Sequence, residues 1–382
     1  KNRPSAAPGA VDIHRPAPLP VPACTMVAKA PLVLLVLMAS VENGSVSAVS
    51  CLDESGDSVD YWSLMKHNSG GDYDYLDASS TSYKASANSL ESSTKGAAAL
   101  TLAQVYSGHS SLNYAMWNDE DSSGSTHGSR AHSKGVIAYD KDGGFWLTHS
   151  VPRYPNTVSQ GKDALPDYTY GQSFLCLTLS ASTMETVAQQ MQVVFPYVYD
   201  SGLNYDGSGS FADFVNGIAD KSTDLSIKTI TTAGRRSFTH YAKYKGNDVD
   251  IYEVIAADIK KPIYAETWMN GETTNQMPSY CDGSYTVEDV TVVQSSTSET
   301  TWKETQDHSK WLVTTSTSSG TGCIGDLNRQ YSQSSRGGGM LCYKTSSFVK
   351  ALNSRVSEYS SCSGVGATAM SNMTQPMLRG AR

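Results

Sequence analysis

The tripeptide His132-Ser133-Lys134 returns far down the chain as His308-Ser309-Lys310. If the two copies act together, the chain must fold so that distant segments meet at one place, a condition few architectures satisfy. In an extended strand, residues i and i+2 project from the same face, so His132 presents itself with Lys134, and His308 with Lys310. An imidazole beside an ammonium suits a phosphate. The lysine cancels phosphoryl charge, and the imidazole attacks phosphorus or transfers a proton near neutral pH. The plain alternative, two exposed histidines in polar loops, leaves the repeat to chance.

A hairpin signal, GVIAYDKDGGFWLTHSVP, follows the first copy. With Asp142-Gly143 as a two-residue turn, Lys141 faces Gly144 and His149 lies opposite Val136, on the face that carries His132 and Lys134. A one-residue slip would move His149 to the other face. The second copy has a related plan, HSKWLV, a Ser/Thr/Gly turn and then CIGDLNR, where Asp326 and Asn328 share a face if the segment is extended.

At 382 residues the chain is long enough for two domain-sized cores or one large domain of duplicated plan. With 39 % apolar and 17 % charged residues it has the composition of a folded globular protein. Residues 1–25 are rich in proline and alanine and read as an upstream, non-native extension. Met26 then opens a stretch with a lysine, an apolar run from Pro31 to Ala39 and small residues before Cys51, the pattern of a secretory signal peptide over 26–50. The run is far short of the roughly twenty residues that span a bilayer, so no membrane partner is expected. Removing residues 1–50 takes the formal net charge from −8 to −10, because Lys1, Arg3, Arg15 and Lys29 leave with Asp12 and Glu42. A nucleic-acid surface on such a chain must be a local patch, and mild acid eases the approach of a polyanion.

Past Cys24 the chain keeps Cys51, Cys176, Cys281, Cys323, Cys342 and Cys362. None has the spacing of a zinc site, and six thiols in an exported chain make three disulfides in one of fifteen patterns. Helices are expected at Gly96–Tyr106, at Ser182–Val194 behind a Ser182/Glu185 capping box, and at Ser346–Val356. Strands are expected in GVIAYD, GFWLTHSV, SFLCLTL, DVDIYEVIAA and YTVEDVTVV, and polar surface loops at Asn68–Gly96 and Ser295–Gly322. Asn372-Met373-Thr374 is a glycosylation sequon in a tail, 364–382, that reads as flexible.

The blocks HSKGVIAYDKDGGFWLTHSVPRYP, DHSKWLV with CIGDLNRQYSQSSRGGGMLC, and CLDESGDSVDYWSLMK resemble the deoxyribonuclease II family, from Cys51 to about Ser354. The serine-rich segments suit a venom-type member from a marine invertebrate. The resemblance implies an α/β, phospholipase D-like pseudo-dimer: two similar halves, each a mixed sheet flanked by helices, sharing one active site. The halves are expected at 51–215 and 216–363. It also implies endonucleolytic cleavage of DNA at acid pH, with no cofactor or divalent metal, leaving 3′-phosphate and 5′-hydroxyl ends. The family's essential histidines fall on His132, His149 and His308, with Lys134 and Lys310 as phosphate-binding companions. The implied disulfides are Cys51–Cys176, Cys281–Cys362 and Cys323–Cys342. The superfamily's usual aspartate after His-x-Lys is displaced at Asp140, which reads as a turn residue, and is missing from the second copy.

The expected mechanism has His132 attacking phosphorus and His308 protonating the leaving oxygen, with Asn328 and His149 as secondary donors. Arg153, Arg329 and Arg336 are candidates for flanking phosphates. The expected state is a monomeric pseudo-dimer or a homodimer, secreted or lysosomal. Two rival readings are a phosphodiesterase acting on a phospholipid or phosphorylated glycan, and a secreted DNA-binding or toxic protein whose effect does not depend on catalysis.

Overall fold

Alternation along the strands builds the core, and here both faces of each sheet are covered. A computed structural model describes residues 49–363, which fall within one compact unit. The segment before Val49, with Cys24 and most of the signal-like stretch, and the tail 364–382 with Asn372 lie outside the described residues. Among the described residues there are two large sheets. The first has eight strands in the spatial order Val198–Leu203, Asn113–Trp117, Gly135–Tyr139, Gly144–His149, Gln172–Leu179, Tyr61–Lys66, Tyr73–Asp77 and Lys84–Ala85. The second runs Leu225–Thr231, Ser237–Lys243, Gly338–Tyr343, Gly322–Gly325, Trp311–Thr314, Ile263–Glu266, Val287–Gln294 and Thr301–Lys303, with Val356–Tyr359 added beside Val287–Gln294. Every strand of the first sheet precedes every strand of the second in sequence.

Inward-facing Ala115, Trp117, Ile137, Trp146, Leu175 and Leu177 of the first sheet share one core with Phe238, Trp311, Val313, Ile324 and Leu341 of the second. Their neighbours Met116, Val136, Ala138, Phe145 and Leu147 point the other way and pack under helix Ala97–Gly108. The second sheet's outer face, with Ile263, Ala265, Leu312 and Met340, packs under helix Ile251–Ile259. Two-sided burial is why these strands read as nearly unbroken apolar runs although they are antiparallel. Among the described residues no helix is long and apolar enough to cross a membrane.

Several expectations change. The first sheet is antiparallel throughout, not mixed. A parallel pair needs a long crossover, and the one present joins Ile263–Glu266 to Val287–Gln294 in the second sheet through residues 267–286. DVDIYEVIAA forms a helix, not a strand: the Asp250 carboxylate accepts the Tyr252 N–H as an N-cap, and Ile251, Tyr252, Ile255 and Ala256 are buried at helical spacing. The Ser182/Glu185 capping box does not form. Ser180 is the N-cap of helix Ala181–Val194, and Glu185 accepts from Ser210 and Gln189 instead. The last helix stops at Asn353 and gives way to strand Val356–Tyr359. The tract from Asn68 to Gly96 is not all surface loop, since Tyr73, Asp74, Tyr75 and Leu76 are buried in a strand. The three disulfides are Cys51–Cys176, Cys281–Cys362 and Cys323–Cys342, as the resemblance implied. The last of them joins directly opposed residues of neighbouring strands.

Candidate active site

Both His-Ser-Lys copies lie in the extended lead-in to a sheet strand rather than within it, and each is gripped by the other sheet's loops. The first precedes Gly135–Tyr139 and the second precedes Trp311–Thr314. The Lys134 carbonyl accepts the His149 N–H (3.2 Å), and the Lys310 carbonyl accepts the Gly325 N–H (2.9 Å). Each copy is thus held by the returning strand of its own hairpin. Across the sheets the grip is reciprocal. The His132 N–H donates to the Gly337 carbonyl (2.9 Å), and the His308 N–H to the Gly171 carbonyl (2.8 Å). Gly171 is needed there, because a Cβ would meet the Asp307 carboxylate at 2.5 Å.

The imidazoles repeat the exchange. His132 Nδ1 donates to the Asp326 carbonyl (2.6 Å), and His308 Nδ1 donates to the Ser150 carbonyl (3.1 Å). A proton held on Nδ1 leaves each Nε2 for chemistry. Both rings are almost enclosed, His132 8 % and His308 7 % exposed. Burial, and then the neighbouring lysine in each case, drives both histidines well below the ordinary imidazole range.

The lysines are held differently. Lys134 is ion-paired with Asp119, whose Oδ2 also lies 3.1 Å from Arg336 Nη2 and 3.9 Å from His132 Nε2. Burial alone would raise the Asp119 pKa, but Lys134, His132 and Arg336 hold it well below the usual carboxylate range. Lys310 instead donates to the His308 carbonyl. Burial, followed by the charge of Lys134, lowers it to about 7. Glu266, fully buried, accepts the Ser309 hydroxyl at 3.3 Å, and burial raises its pKa well above the usual value.

His149 reaches the same place by a different register. Observed pairs run Gly135↔Thr148 to Tyr139↔Gly144, and Asp140 N–H meets the Gly143 carbonyl, so the two turn residues are Lys141 and Asp142, not Asp142 and Gly143. His149 therefore sits opposite Lys134 rather than Val136, and because the slip is two residues its side chain stays on the same face of the hairpin. Its Nδ1 accepts the Val151 N–H at 3.2 Å, while its buried Nε2 has no hydrogen-bond partner. Burial between Phe174 and Tyr154, with Lys134 nearby, lowers its pKa to about 3, so it stays a neutral Nε2–H donor. Asp140 is a turn residue, its Oδ1 accepting the Asp142 N–H. Asn328, 4 % exposed, accepts the Trp268 N–H through Oδ1 at 3.2 Å.

The three arginines separate. Arg336 belongs to the site through Asp119 and the Arg130 carbonyl. Arg153 is exposed and paired with Glu120. Arg329 is a correction: it is 1 % exposed, with Nε on Asp250 (2.8 Å) and Nη1 on Asp289, so its charge is committed to clamping the second sheet's loops rather than to a flanking phosphate.

A family model of deoxyribonuclease II matches residues 50–362. The chain belongs to the deoxyribonuclease II family. It is 33 % identical over 350 residues to plancitoxin-1 of Acanthaster planci, covering 86 % of this chain and 96 % of that protein. To deoxyribonuclease-2-alpha of Rattus norvegicus it is 33 % identical over 341 residues, covering 82 % and 95 %. To cell-death-related nuclease 7 of Caenorhabditis elegans the identity is 30 % over 331 residues, covering 82 % and 88 %. The chain is therefore an enzyme of the deoxyribonuclease II type, with DNA as its substrate.

Sequence reasoning missed Asp119 and Trp268 at this candidate deoxyribonuclease II site. Trp117 and Glu266 hold matching ladder positions, each opposite the residue that follows a His-Ser-Lys lysine. Two residues beyond them lie Asp119 and Trp268. Nothing in the local sequence NDEDSS or ETWMN marks either; only the pairing of Asn113–Trp117 with the strand after Lys134 brings Asp119 to the lysine. Replacing Asp119 with Asn keeps the shape and removes the charge that fixes Lys134 and Arg336. A kcat loss of about 10²-fold is expected in oligonucleotide cleavage below the melting transition, the size that misplacement of a catalytic cation produces, together with a lower melting temperature, because the buried Lys134 ammonium loses its counter-charge. An unaltered kcat would show that Asp119 does not set the position of Lys134.

Proposed function

We propose that the protein is a metal-independent acid endodeoxyribonuclease working through a phosphohistidine. The observation that supports this reading is the reciprocal bonding of His132 Nδ1 and His308 Nδ1 to carbonyls of the opposite sheet, which leaves both Nε2 atoms free, in rings close enough for the charge of His132 to act on His308. His132 Nε2 attacks the scissile phosphorus as the bond from phosphorus to the 5′ oxygen breaks, and His308 Nε2 gives its proton to that oxygen. Water then donates a proton to His308 and its oxygen to phosphorus, the N–P bond breaks, and a 3′-phosphate leaves. Lys134, Lys310 and the His149 Nε2–H stabilise the equatorial oxygens. Asp119, 3.9 Å from His132 Nε2, supports the assignment of His132 as nucleophile, since the ring gains positive charge on forming the N–P bond.

At His308 burial and then Lys310 and Lys134 dominate, and the Ser150 carbonyl does not offset them. Its imidazolium is a strong acid that is populated only well below the usual imidazole pKa. Activity is therefore expected to rise as pH falls through the acid range and to fall again once His132 is also protonated.

We read the chain as a pseudo-dimer of halves 51–215 and 216–363 whose site is complete in a monomer, since one chain supplies both His-Ser-Lys copies. The three disulfides support a location reached through the secretory pathway, secreted or lysosomal. The test is plasmid nicking in excess EDTA across acid to neutral pH, with analysis of the ends. Acid-favoured nicking that leaves 3′-phosphates supports the mechanism. Strict dependence on an added divalent metal, or 5′-phosphate ends, would refute it. Label trapped on His308 rather than His132 would reverse the two roles.

A further inference from the structure

The two sides of this site are built from different chemistry. Beside His132 the wall is cationic: Arg130, two residues upstream, has its guanidinium carbon 3.9 Å over the Phe195 ring, with Lys245 Nζ 5.4 Å from the same ring. Beside His308 the wall is aromatic. The Trp268 ring centroid is 4.3 Å from that of His308, Tyr170 is 5.9 Å from His308, and the two aromatic rings are 5.7 Å apart. Both are partly exposed, although His308 between them is buried.

Neither aromatic ring is free to collapse. Trp268 is fixed at both ends, its backbone N–H on Asn328 Oδ1 and its Nε1–H on the Thr305 carbonyl at 3.1 Å. The Tyr170 carbonyl accepts the buried Lys66 ammonium at 2.8 Å, and the next residue, Gly171, is bonded to the His308 segment. The second sheet's loop supplies one ring and the first sheet's loop the other. Partly exposed, rigidly held aromatic rings beside a phosphate-handling centre are what an unstacked base packs against in single-strand recognition.

We infer that Trp268 and Tyr170 form a nucleobase subsite, which takes the base of the nucleotide whose 5′ oxygen leaves, while the phosphates on the other side of the cut run along Arg130 and Lys245. This rests on the proposed roles of His132 and His308. It means that the cut requires the base 3′ of the scissile phosphate to leave its stack.

The test is a double-mutant cycle between protein and substrate. Single-stranded, end-labelled oligonucleotides carry one abasic nucleotide either 3′ or 5′ of a mapped linkage, and kcat/KM at that linkage is measured for wild type, Trp268→Ala and Trp268→Phe. Loss of the 3′ base is expected to cost wild type about tenfold, the scale of one base stacked on one ring. Trp268→Ala should lose about as much on intact DNA and no more on the abasic substrate, and Trp268→Phe should restore sensitivity. Additive losses, or sensitivity confined to the 5′ base, would overturn the subsite. If Trp268→Ala does not fold, Tyr170→Leu serves in the same cycle. Absence of cleavage on every substrate by wild type would count against the nuclease mechanism itself, a different result from cleavage without coupling.

Discussion

Replacing His308 with alanine is expected to lower DNA cleavage at acid pH by at least about 10³-fold, and replacing His132 by more, because one loses the proton donor and the other the nucleophile. The double variant should be no worse than His132→Ala alone, since residues acting as a unit are grossly non-additive. Both side chains also hold the sheets together through Nδ1, so folding must be monitored. Asn in place of either histidine keeps a donor for the carbonyl and provides that control. Near-normal cleavage by both alanine variants, measured as plasmid nicking in EDTA, would reject the mechanism. Loss in the alanine variants with full activity in the asparagine variants would reduce the histidines to structural clamps.

The largest stability effect is expected at Asp74, far from the chemistry. This fully buried carboxylate of the first sheet accepts Arg355 Nη1 (2.8 Å), the Ser296 N–H (2.9 Å), the Thr297 hydroxyl (2.5 Å) and the Ser295 hydroxyl (3.2 Å) from the second sheet's segments. Arg355 is itself 1 % exposed. Asp74→Ala strands a buried guanidinium and several donors, and a loss of about 3–5 kcal/mol is expected by urea denaturation. A change under about 1 kcal/mol would show that the network relaxes around the gap. Burial alone would raise the Asp74 pKa, but His67 and Arg355 outweigh it and lower the value to about 2. A carboxylate pKa depressed on folding contributes stability above its unfolded value and loses it as pH falls toward the folded one. The Asp74 contribution is thus intact from neutral pH down to about pH 4 and fades only toward pH 2. The acid range in which the enzyme is proposed to work lies above that limit.

His149 and His240 behave oppositely to a group that gains a partner. Burial lowers each to about 3, so the unfolded chain takes up protons first. Their contribution is complete above about pH 6.5 and declines as pH falls toward 3.

Much of the site was legible because its chemistry is local. His-x-Lys spacing reports one face of an extended segment, so His132, Lys134, His308 and Lys310 could be singled out as candidates from adjacent residues, and the DKDGG turn reports a hairpin, which brought in His149. The errors arose where two local signals compete. DVDIYEVIAA is apolar enough for a strand, but the Asp250 cap and the burial of Ile251, Tyr252, Ile255 and Ala256 decide for a helix. Arg329 looked available because it follows Asn328 in a motif block, yet Asp250 and Asp289 reach it from segments distant in sequence.

By itself, the sequence determined which side chains could hold and cut a phosphodiester, and the resemblance supplied the pairing of the six cysteines. The tertiary structure decided the rest: that Asp119 serves the first lysine while Trp268 occupies the matching place beside the second, that each imidazole hands its Nδ1 proton to the opposite sheet, and that Arg329 is spent inside. The physical reason is range. Face and spacing follow from backbone geometry over a few residues, whereas charge partners and burial depend on which strands the chain packs together.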